Sequence, residues 1–269
     1  MKNLKSFVRK TWLYKSYFKF RYNSSFYFML RNLFRDIDVL KFLYIETISN
    51  CNRKCVFCPV AFDKSLGKRM DEKLFYKIID DLVDMKFSGL LNLSNYGEPL
   101  LDGRLLKFAK YTKEKLNNDV KIEFFTNGDL LTTKKAEEFL RSGVDIIYVS
   151  QHDLEPSKQI SELKKHNWNG KIVFGVVNVN SKGLSNRAGS VNVNTLNPIY
   201  CRPDSSIIRA DGTVCLCCND YYNEISFGNV KKKSLKEIWS NERYRIVRKK
   251  LKYGKFDLEL CKRCRGVGS

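Results

Sequence analysis

Histidine and long apolar runs are the scarcest features of this 269-residue sequence. Its only two histidines, His152 and His166, disfavour a catalytic zinc site, because such sites usually include histidine ligands. The longest apolar run near the N-terminus, residues 26–30, is far shorter than the ~20 residues that span a bilayer. We therefore expect no transmembrane helix.

Cysteine is abundant by contrast, but its distribution does not fit a disulfide scaffold. The count of nine is odd, no signal peptide precedes the first cysteine, and ten Lys or Arg interrupt residues 1–41. A reduced, cytoplasmic compartment with metal-bound thiolates fits this pattern better than secretion does. The cysteines form three groups: Cys51, Cys55 and Cys58; Cys201, Cys215, Cys217 and Cys218; Cys261 and Cys264.

Positive charge is concentrated in two segments of a chain whose formal net charge is +20. Residues 1–41 hold ten basic and two acidic side chains among eleven aromatics, and residues 231–253 hold another ten basic and two acidic side chains. Such surfaces attract nucleic acid, anionic lipid headgroups or a phosphorylated substrate, and a solvated basic face is the alternative interpretation. Residues 1–41 are predicted to form short amphipathic helices that pack on the main domain or touch a membrane surface.

From residue 43 onward, short β-branched or aromatic runs alternate with amphipathic segments. The predicted strands are residues 43–49, 90–95, 121–126, 145–150 and 171–179. The predicted helices are residues 72–86, 103–116, 133–142 and 156–166. This alternation predicts an α/β fold with parallel strands and helical crossovers.

The pattern changes near residue 180, which divides the chain into an extension (1–41), a core (42–194) and a small module (195–269). Residues 180–200 are rich in Ser, Asn and Gly and are predicted to be a loop or linker. Beyond it, two strands joined by an Asp211-Gly212 turn form a predicted hairpin. Residues 234–253 are a predicted helix, with Ser234 as N-cap and Glu237 at the third position.

The first cysteine group, C-x3-C-x2-C over residues 51–58, lacks the fourth ligand of a tetrahedral zinc site. Three thiolates suit an iron–sulfur cube that keeps one iron open, and ligand sites collect where parallel strands end. The motif resembles the signature of the radical S-adenosylmethionine (SAM) superfamily, with Phe57 as the aromatic residue before the last cysteine. The resemblance implies a partial (β/α) TIM-like barrel whose [4Fe–4S] cluster, held by Cys51, Cys55 and Cys58, binds SAM.

Further matches to this family follow the next predicted strands. Tyr96-Gly97-Glu98-Pro99 resembles the Gly-Gly-Glu-Pro element that holds the SAM amino group, with tyrosine in place of the first glycine and Glu98 as the acidic side chain. Strands three and four end at the same rim, so Asn127, Ser150 and Gln151 are predicted to bind the cofactor and His152 to act in catalysis. An ordinary turn at Asn127 and a purely structural His152 are the alternatives.

The remaining cysteines resemble the C-terminal SPASM module of this family, in its shorter "twitch" form with one auxiliary cluster. The resemblance implies a second [4Fe–4S] cluster on Cys201, Cys217, Cys261 and Cys264. The family spacing from Gly212 favours Cys217, and Cys218 is the alternative ligand. Zinc is the alternative metal, although a zinc ribbon would normally show two C-x2-C pairs rather than one.

The successive elements Y-G-E-P-L-L, T-N-G-D-x-L-T, S-Q-H, L-S-N-R-A-G and G-N followed by I-W extend the match over residues 43–266. They resemble the branch of the family that contains the 2-deoxy-scyllo-inosamine dehydrogenase of butirosin formation. That branch implies oxidation of a secondary alcohol on a carbohydrate or aminocyclitol by a 5′-deoxyadenosyl radical, with electron transfer to the auxiliary cluster. An electron donor such as flavodoxin or ferredoxin is implied, and the basic surface favours a phosphorylated or lipid-linked sugar. Arg187, in L-S-N-R-A-G, is implied near the substrate; its permanent charge favours an electrostatic role over a base.

Two other functions remain open from the sequence. A SPASM-type peptide-modifying enzyme would share the cysteine pattern, although residues 1–41 are too short for a winged-helix precursor-binding domain. A nucleic-acid-binding iron–sulfur protein would explain the charge and the interleaved aromatics. That last function leaves C-x3-C-x2-C without a purpose, so nucleic acid is not the expected partner.

Overall fold

A computed structural model describes residues 32–63, 67–116, 119–178, 181, 184–193 and 201–265. The predicted helices of the N-terminal extension lie outside these ranges, apart from its last ten residues, 32–41. Within the described residues, no helix is long and apolar enough to cross a membrane.

Five parallel strands and four helices alternate in the first part of the chain, as the sequence predicts. The strands are β1 (Phe42–Ile45), β2 (Leu90–Asn92), β3 (Lys121–Thr126), β4 (Ile146–Gln151) and β5 (Ile172–Val176). The helices are α1 (Glu72–Asp84), α2 (Leu105–Leu116), α3 (Thr133–Arg141) and α4 (Lys158–Leu163). The strands pair in the order β5-β4-β3-β2-β1, and the sheet is open rather than closed, so it forms a partial barrel.

The crossover helices begin where their sequence provides a capping side chain and bury one apolar face. Asp71, Thr132 and Ser157 each accept a hydrogen bond from a backbone N–H in the first turn of α1, α3 and α4. Between α1 and α2, the rings of Phe75 and Phe108 stack with centroids 4.0 Å apart, and both are fully buried. The helices therefore cover one face of the sheet and leave the strand ends to carry polar residues.

Strand β2 ends earlier than predicted, and the cause is a side chain. Asn92 accepts hydrogen bonds from the backbone N–H of Ser94 at 2.9 Å and from its hydroxyl at 2.6 Å. This local turn takes the place of further ladder bonds, because a short polar side chain competes with the sheet for backbone groups. The residues that follow, up to Pro99, are released to form a loop at the rim.

The C-terminal part extends the same sheet through β6 (Ser205–Ile208), β7 (Thr213–Cys215) and β8 (Ser226–Asn229). Strand β6 runs parallel to β1, from the pair Phe42↔Ser205 to the pair Ile45↔Ile208, whereas β7 and β8 are antiparallel to their neighbours. The predicted hairpin at Asp211-Gly212 is confirmed, with Gly212 at φ +87°. The sequence did not predict β8.

The prediction of one helix over residues 234–253 is wrong. The structure has α5 (Leu235–Trp239) and α6 (Glu242–Lys252), followed by α7 (Glu259–Arg265). The capping box of Ser234 and Glu237 is present, but Asn241 caps a new helix by accepting from the N–H of Tyr244. The break lets Trp239 and Tyr244 pack together, with ring centroids 5.2 Å apart. In one continuous helix, residues five apart would point in different directions.

Because β1 joins both parts of the sheet, we expect truncation in its core to be costly. Leu43→Ala, at a side chain with 0% exposure, should lower the free energy of unfolding by about 2–5 kcal/mol. Val173→Ala on the edge strand β5, at an exposed position, should change it by less than about 0.5 kcal/mol. Urea unfolding followed by circular dichroism measures both, and equal losses would contradict the central role of β1.

Candidate functional site

The loop that follows β1 carries the first three thiols. The N–H of Cys58 donates to the carbonyl of Cys55 at 2.9 Å, and Cys58 then precedes a short 3-10 turn, Pro59–Ala61. Burial raises the pKa of all three thiols, that of Cys55 to about 11, and the charge of neighbouring thiols adds to the rise at Cys51 and Cys55. Thiolates can accumulate there only with a cation between them, and iron deprotonates its thiol ligands. The donor set therefore fits an iron–sulfur cluster.

The loop after β2 lies directly against the cysteine loop, and a glycine makes this possible. A Cβ on Gly97 would lie 2.0 Å from the carbonyl oxygen of Ile48, which is a severe clash. The next N–H, that of Glu98, donates to the carbonyl of Asn50 at 2.8 Å. Only glycine allows this approach, so the Tyr-Gly-Glu-Pro element is tied to the start of the thiol motif.

Glu98 joins the ends of β2 and β3. Its carboxylate accepts from the Thr126 hydroxyl at 2.7 Å, from the N–H of Asn127 at 2.8 Å and from the N–H of Leu100 at 3.1 Å. Its side chain is buried, which raises the pKa of Glu98, and these hydrogen bonds oppose the rise. The predicted SAM-binding acid is therefore fixed at the rim by the protein itself. Pro99 is buried beside it, at the start of the short turn Pro99–Leu101.

Asn127 reaches from the end of β3 into the cysteine loop. Its Nδ2 donates to Oδ1 of Asn52 at 2.8 Å and lies 3.8 Å from Sγ of Cys51, while its Oδ1 accepts from the N–H of Asp129. The structure thus places Asn127 next to the first thiol. The bond from Asp129 also closes a local turn, so the turn and the contacts with the cysteine loop occur together.

A second link between the rim loops was not predicted from the sequence. Arg53 lies between the first two cysteines, and its Nε and Nη2 donate to the two carboxylate oxygens of Asp129 at 2.6 and 2.7 Å. Its Nη1 donates to Asp153 at 2.8 Å. Bidentate ion pairs of this kind fix the relative orientation of the two side chains in addition to pairing their charges. The only sequence signals were the arginine inside the motif and the aspartates that follow the two strand ends.

His152 and Phe57 contact each other at the end of β4. Their ring centroids are 5.5 Å apart, and Nδ1 of His152 lies 2.8 Å from the carbonyl oxygen of Val177. Because that carbonyl can only accept, Nδ1 carries the proton and Nε2 is the acceptor nitrogen of the neutral ring. The imidazole is therefore held in one orientation against the aromatic residue of the thiol motif.

Gln151, predicted to bind the cofactor, uses its amide within its own loop. Its Nε2 donates to the carbonyls of Asp153 and Leu154 at 3.1 and 3.0 Å, and its Oε1 accepts from Nζ of Lys164 at 2.9 Å. These bonds brace the connection from β4 to α4. The neighbouring Ser150 is half-buried on the opposite face of the strand.

The C-terminal thiols gather at a second place. Cys261 and Cys264 lie one turn apart on α7, and both add to the rise in the pKa of Cys201, while Cys201 and Cys264 add to the rise in the pKa of Cys217. Burial is the main cause of the raised pKa of each of these thiols, which reaches about 11 at Cys261. This donor set also fits an iron–sulfur cluster.

Cys215 and Cys218 differ from those four residues. Cys215 is buried in β7, and its thiol donates to Oδ1 of Asn223 at 2.9 Å, which gives it a structural partner. Cys218 is exposed, although its charge still acts on Cys201 and Cys264. Its carbonyl accepts a hydrogen bond from the hydroxyl of Tyr96.

Tyr96 and Arg187 lie between the two groups of thiols. The guanidinium of Arg187 lies 5.5 Å from the centre of the Tyr96 ring, and that of Arg209 lies at the same distance. Burial raises the pKa of Cys58 and of Cys264, and the positive charge of Arg187 opposes that rise at both thiols. Tyr96, predicted to belong to the SAM site, therefore also contacts the C-terminal module.

Asn219 is a site residue that sequence reasoning missed. Its Nδ2 lies 3.1 Å from Sγ of Cys264, and its Oδ1 accepts from Nη1 of Arg187 at 3.3 Å. A small cavity of about 120 Å³ opens beside Arg187, Asn219 and Arg263. The only sequence signal for Asn219 was its position directly after Cys217-Cys218.

Comparison with known proteins agrees with this geometry. Residues 45–177 match the radical SAM superfamily, and residues 201–265 match SPASM, an iron–sulfur cluster-binding domain. The chain is 30% identical to the S-adenosyl-L-methionine-dependent 2-deoxy-scyllo-inosamine dehydrogenase of Niallia circulans, over 83% of this chain and 92% of that protein. It is 29% identical to a tungsten-containing aldehyde ferredoxin oxidoreductase cofactor-modifying protein of Pyrococcus furiosus, over 51% of this chain and 36% of that protein.

Solved structures show the same fold. The crystal structure of BtrN in complex with AdoMet and 2-DOIA superposes with a TM-score of 0.76 at 28% identity, covering 83% of this chain and 92% of BtrN. The structure of anSMEcpe with bound AdoMet has a TM-score of 0.55 at 14% identity, covering 76% and 81%, and shares the fold alone. The chain therefore belongs to the radical SAM superfamily, as a radical SAM oxidoreductase with a C-terminal SPASM module whose cofactors are SAM and two [4Fe–4S] clusters.

Proposed function

We propose that this chain oxidises a secondary alcohol of a carbohydrate or aminocyclitol to a ketone. The observation that carries the proposal is the position of Arg187, which lies 5.5 Å from the Tyr96 ring and bonds to Asn219, whose amide in turn contacts Cys264. A substrate bound there would lie between both redox centres. The 30% identity to an inosamine dehydrogenase supports the same reaction type.

The residues proposed to hold the cofactors follow from the two donor sets. Cys51, Cys55 and Cys58 would bind the first cluster, and Cys201, Cys217, Cys261 and Cys264 would bind the second. When bound, SAM and the first cluster supply a carbon radical that takes a hydrogen atom, and the second cluster supplies a one-electron acceptor. Phe57, Tyr96, Gly97, Glu98, Pro99, Asn127 and Ser150 are proposed to shape the SAM site.

Arg187 is proposed to bind and orient the substrate hydroxyl. A guanidinium stays protonated throughout, so it can donate hydrogen bonds and stabilise negative charge that develops on the substrate oxygen. The rings of Tyr96 and Tyr221 meet edge to face at 4.7 Å, and the Tyr96 ring packs beside this cation. They would limit access of water to the reacting carbon, where a radical must be protected.

His152 is proposed to accept the hydroxyl proton. Oxidation of an alcohol to a ketone removes this proton in addition to the hydrogen atom on carbon, so a base is needed. The bond from Nδ1 to the carbonyl of Val177 leaves Nε2 as the acceptor nitrogen, and neutral imidazole is a suitable base near pH 7. Gln151 is proposed to brace the loop that carries His152 rather than to bind SAM.

The remaining partners are proposed on charge alone. A net charge of +20 would favour a phosphorylated or lipid-linked sugar, and residues 1–41 could bring the enzyme to a membrane that holds such a lipid. Flavodoxin or ferredoxin is proposed as the electron donor. The units proposed for the chain are residues 1–41, 42–194 and 195–269, the last two sharing a sheet through the pairing of β1 with β6.

The cluster assignment predicts iron content and SAM cleavage separately. Anaerobically reconstituted protein should bind about eight irons, because each cube holds four, and should form 5′-deoxyadenosine with dithionite and SAM. Cys55→Ala should lose this activity and about half of the iron. Cys261→Ala should also lose about half of the iron yet still cleave SAM. Iron analysis and chromatography measure both quantities.

Cys215→Ala is the matched control for these variants, because Cys215 bonds to Asn223 rather than to the other thiols. It should keep about eight irons and normal SAM cleavage. A Cys55→Ala protein that still formed 5′-deoxyadenosine would overturn the assignment of the first cluster. Loss of all iron in Cys261→Ala would indicate misfolding, in which case Cys261→Ser would be measured instead.

The substrate role of Arg187 predicts a selective loss of alcohol oxidation. Arg187→Met should lower kcat/KM for 2-deoxy-scyllo-inosamine by about 10²-fold, because an aligned charge is lost, while SAM cleavage without substrate stays unchanged. Arg141→Met, at an exposed site on α3, should have no effect. Mass spectrometry of the ketone measures the reaction. Sugar phosphates assayed in parallel test whether the substrate is phosphorylated, as the positive charge of the chain favours. Parent enzyme that oxidised none of these alcohols would contradict the proposed substrate class.

A further inference from the structure

We propose that Asn219 is a positioning residue that raises the reduction potential of the second cluster. Its amide N–H donates a hydrogen bond to the Cys264 ligand, and its amide oxygen accepts one from Arg187. The inference rests on the proposed function in one respect, since it takes Cys264 to be a cluster ligand. No part of it depends on the identity of the substrate.

The amide of Asn219 can adopt only one orientation. Its Nδ2 donates to Sγ of Cys264 at 3.1 Å, and its Oδ1 accepts from Nη1 of Arg187 at 3.3 Å and from the hydroxyl of Ser185 at 3.0 Å. A flipped amide would turn its oxygen toward the thiolate and its NH₂ group toward the guanidinium. Both contacts would be repulsive, so the partners fix the N–H donor on the sulfur.

A strained turn positions Arg187 beside Asn219. Arg187 and Ala188 have φ of +49° and +55°, in the left-handed region that residues with a Cβ avoid. The turn is held against α7 by two bonds to Arg263, one from its Nε to the carbonyl of Ala188 at 3.1 Å and one from Nδ2 of Asn186 to its carbonyl at 2.9 Å.

Strain of this kind persists only where the surrounding structure enforces it, and it concentrates at functional sites. Here the turn presents the Arg187 side chain to the Tyr96 ring, whose centre is 5.5 Å away, and to Oδ1 of Asn219, at 3.3 Å. The Asn219 amide completes the arrangement by joining the guanidinium to the sulfur.

Hydrogen bonds to a ligand sulfur and a nearby cation have a defined effect on a cluster. Reduction adds one negative charge, which spreads over the irons and their thiolates. Donors directed at a thiolate stabilise that added charge more than they stabilise the oxidised state, so the potential rises. A higher potential suits a cluster that accepts an electron during alcohol oxidation.

The test compares midpoint potentials of the second cluster, measured by redox titration with electron paramagnetic resonance detection. The full chain and the Cys55→Ala variant, which should retain only the second cluster, are both used. Asn219→Leu keeps the side-chain size and removes the donor, and should make reduction at least tenfold less favourable, a shift of about 59 mV for one electron. Asn219→Asp should lower the potential further, because a carboxylate replaces the donor beside the sulfur.

Asn229→Leu is the matched control. It removes another side-chain amide of the C-terminal part, one that donates to the carbonyl of Asp211 at 3.0 Å rather than to sulfur, so the potential should not change. Equal potentials in Asn219→Leu and the parent would overturn the proposal, as would equal shifts in the Asn229 and Asn219 variants. If Asn219→Leu fails to hold the cluster, the midpoint potential of Asn219→Asp is measured instead. A potential of Asn219→Asp at or above that of the parent would overturn the proposal. A parent protein without a second cluster would instead contradict the proposed function.

Discussion

The pairing of β1 with two parallel neighbours is the constraint on which the rest of the structure depends. On one side β2 leads to Gly97 and Glu98, and on the other β6 begins just after Cys201. Parallel strands end at the same edge of a sheet, so this pairing brings the loop of the first thiols and the C-terminal module to neighbouring places. The buried side chains of Leu43 and Ile45 anchor the strand between them.

Polar contacts rather than apolar packing hold the rim of the sheet in position. The carboxylate of Glu98 joins the ends of β2 and β3, Asn127 reaches Asn52, and Arg53 is shared by Asp129 and Asp153. A buried carboxylate is stable only when its oxygens are hydrogen-bonded, as these are. The loop that carries Cys51, Cys55 and Cys58 is thereby held by contacts within the protein. A site that controls a radical requires such placement, because the protein contributes placement more than chemistry.

Positive charge has two separate roles in this molecule. Most of the net charge of +20 comes from residues 1–41 and 231–253 rather than from the residues of the site. The charge of Arg187, by contrast, is half-buried between the two thiol groups and is held by Asn219 and Tyr96. The first can attract an anionic partner over a distance, but it is screened by salt. The second acts over a few ångströms, where screening is weak, and can affect both substrate and redox centres.

The sequence by itself determined the thiol motif, the alternation of strands and helices, and the residues that follow each strand. These features depend on spacing and local pattern, so the α/β fold, the first cluster and most of the rim residues could be predicted. Only the tertiary structure decided that Cys215 bonds to Asn223, that Gln151 braces its own loop, and that Tyr96 meets the carbonyl of Cys218. It also showed the break before α6 and the link from Asn219 to Cys264. Each of these features depends on contacts with residues distant in the chain or on the direction in which a side chain points. The periodicity of the sequence predicts neither.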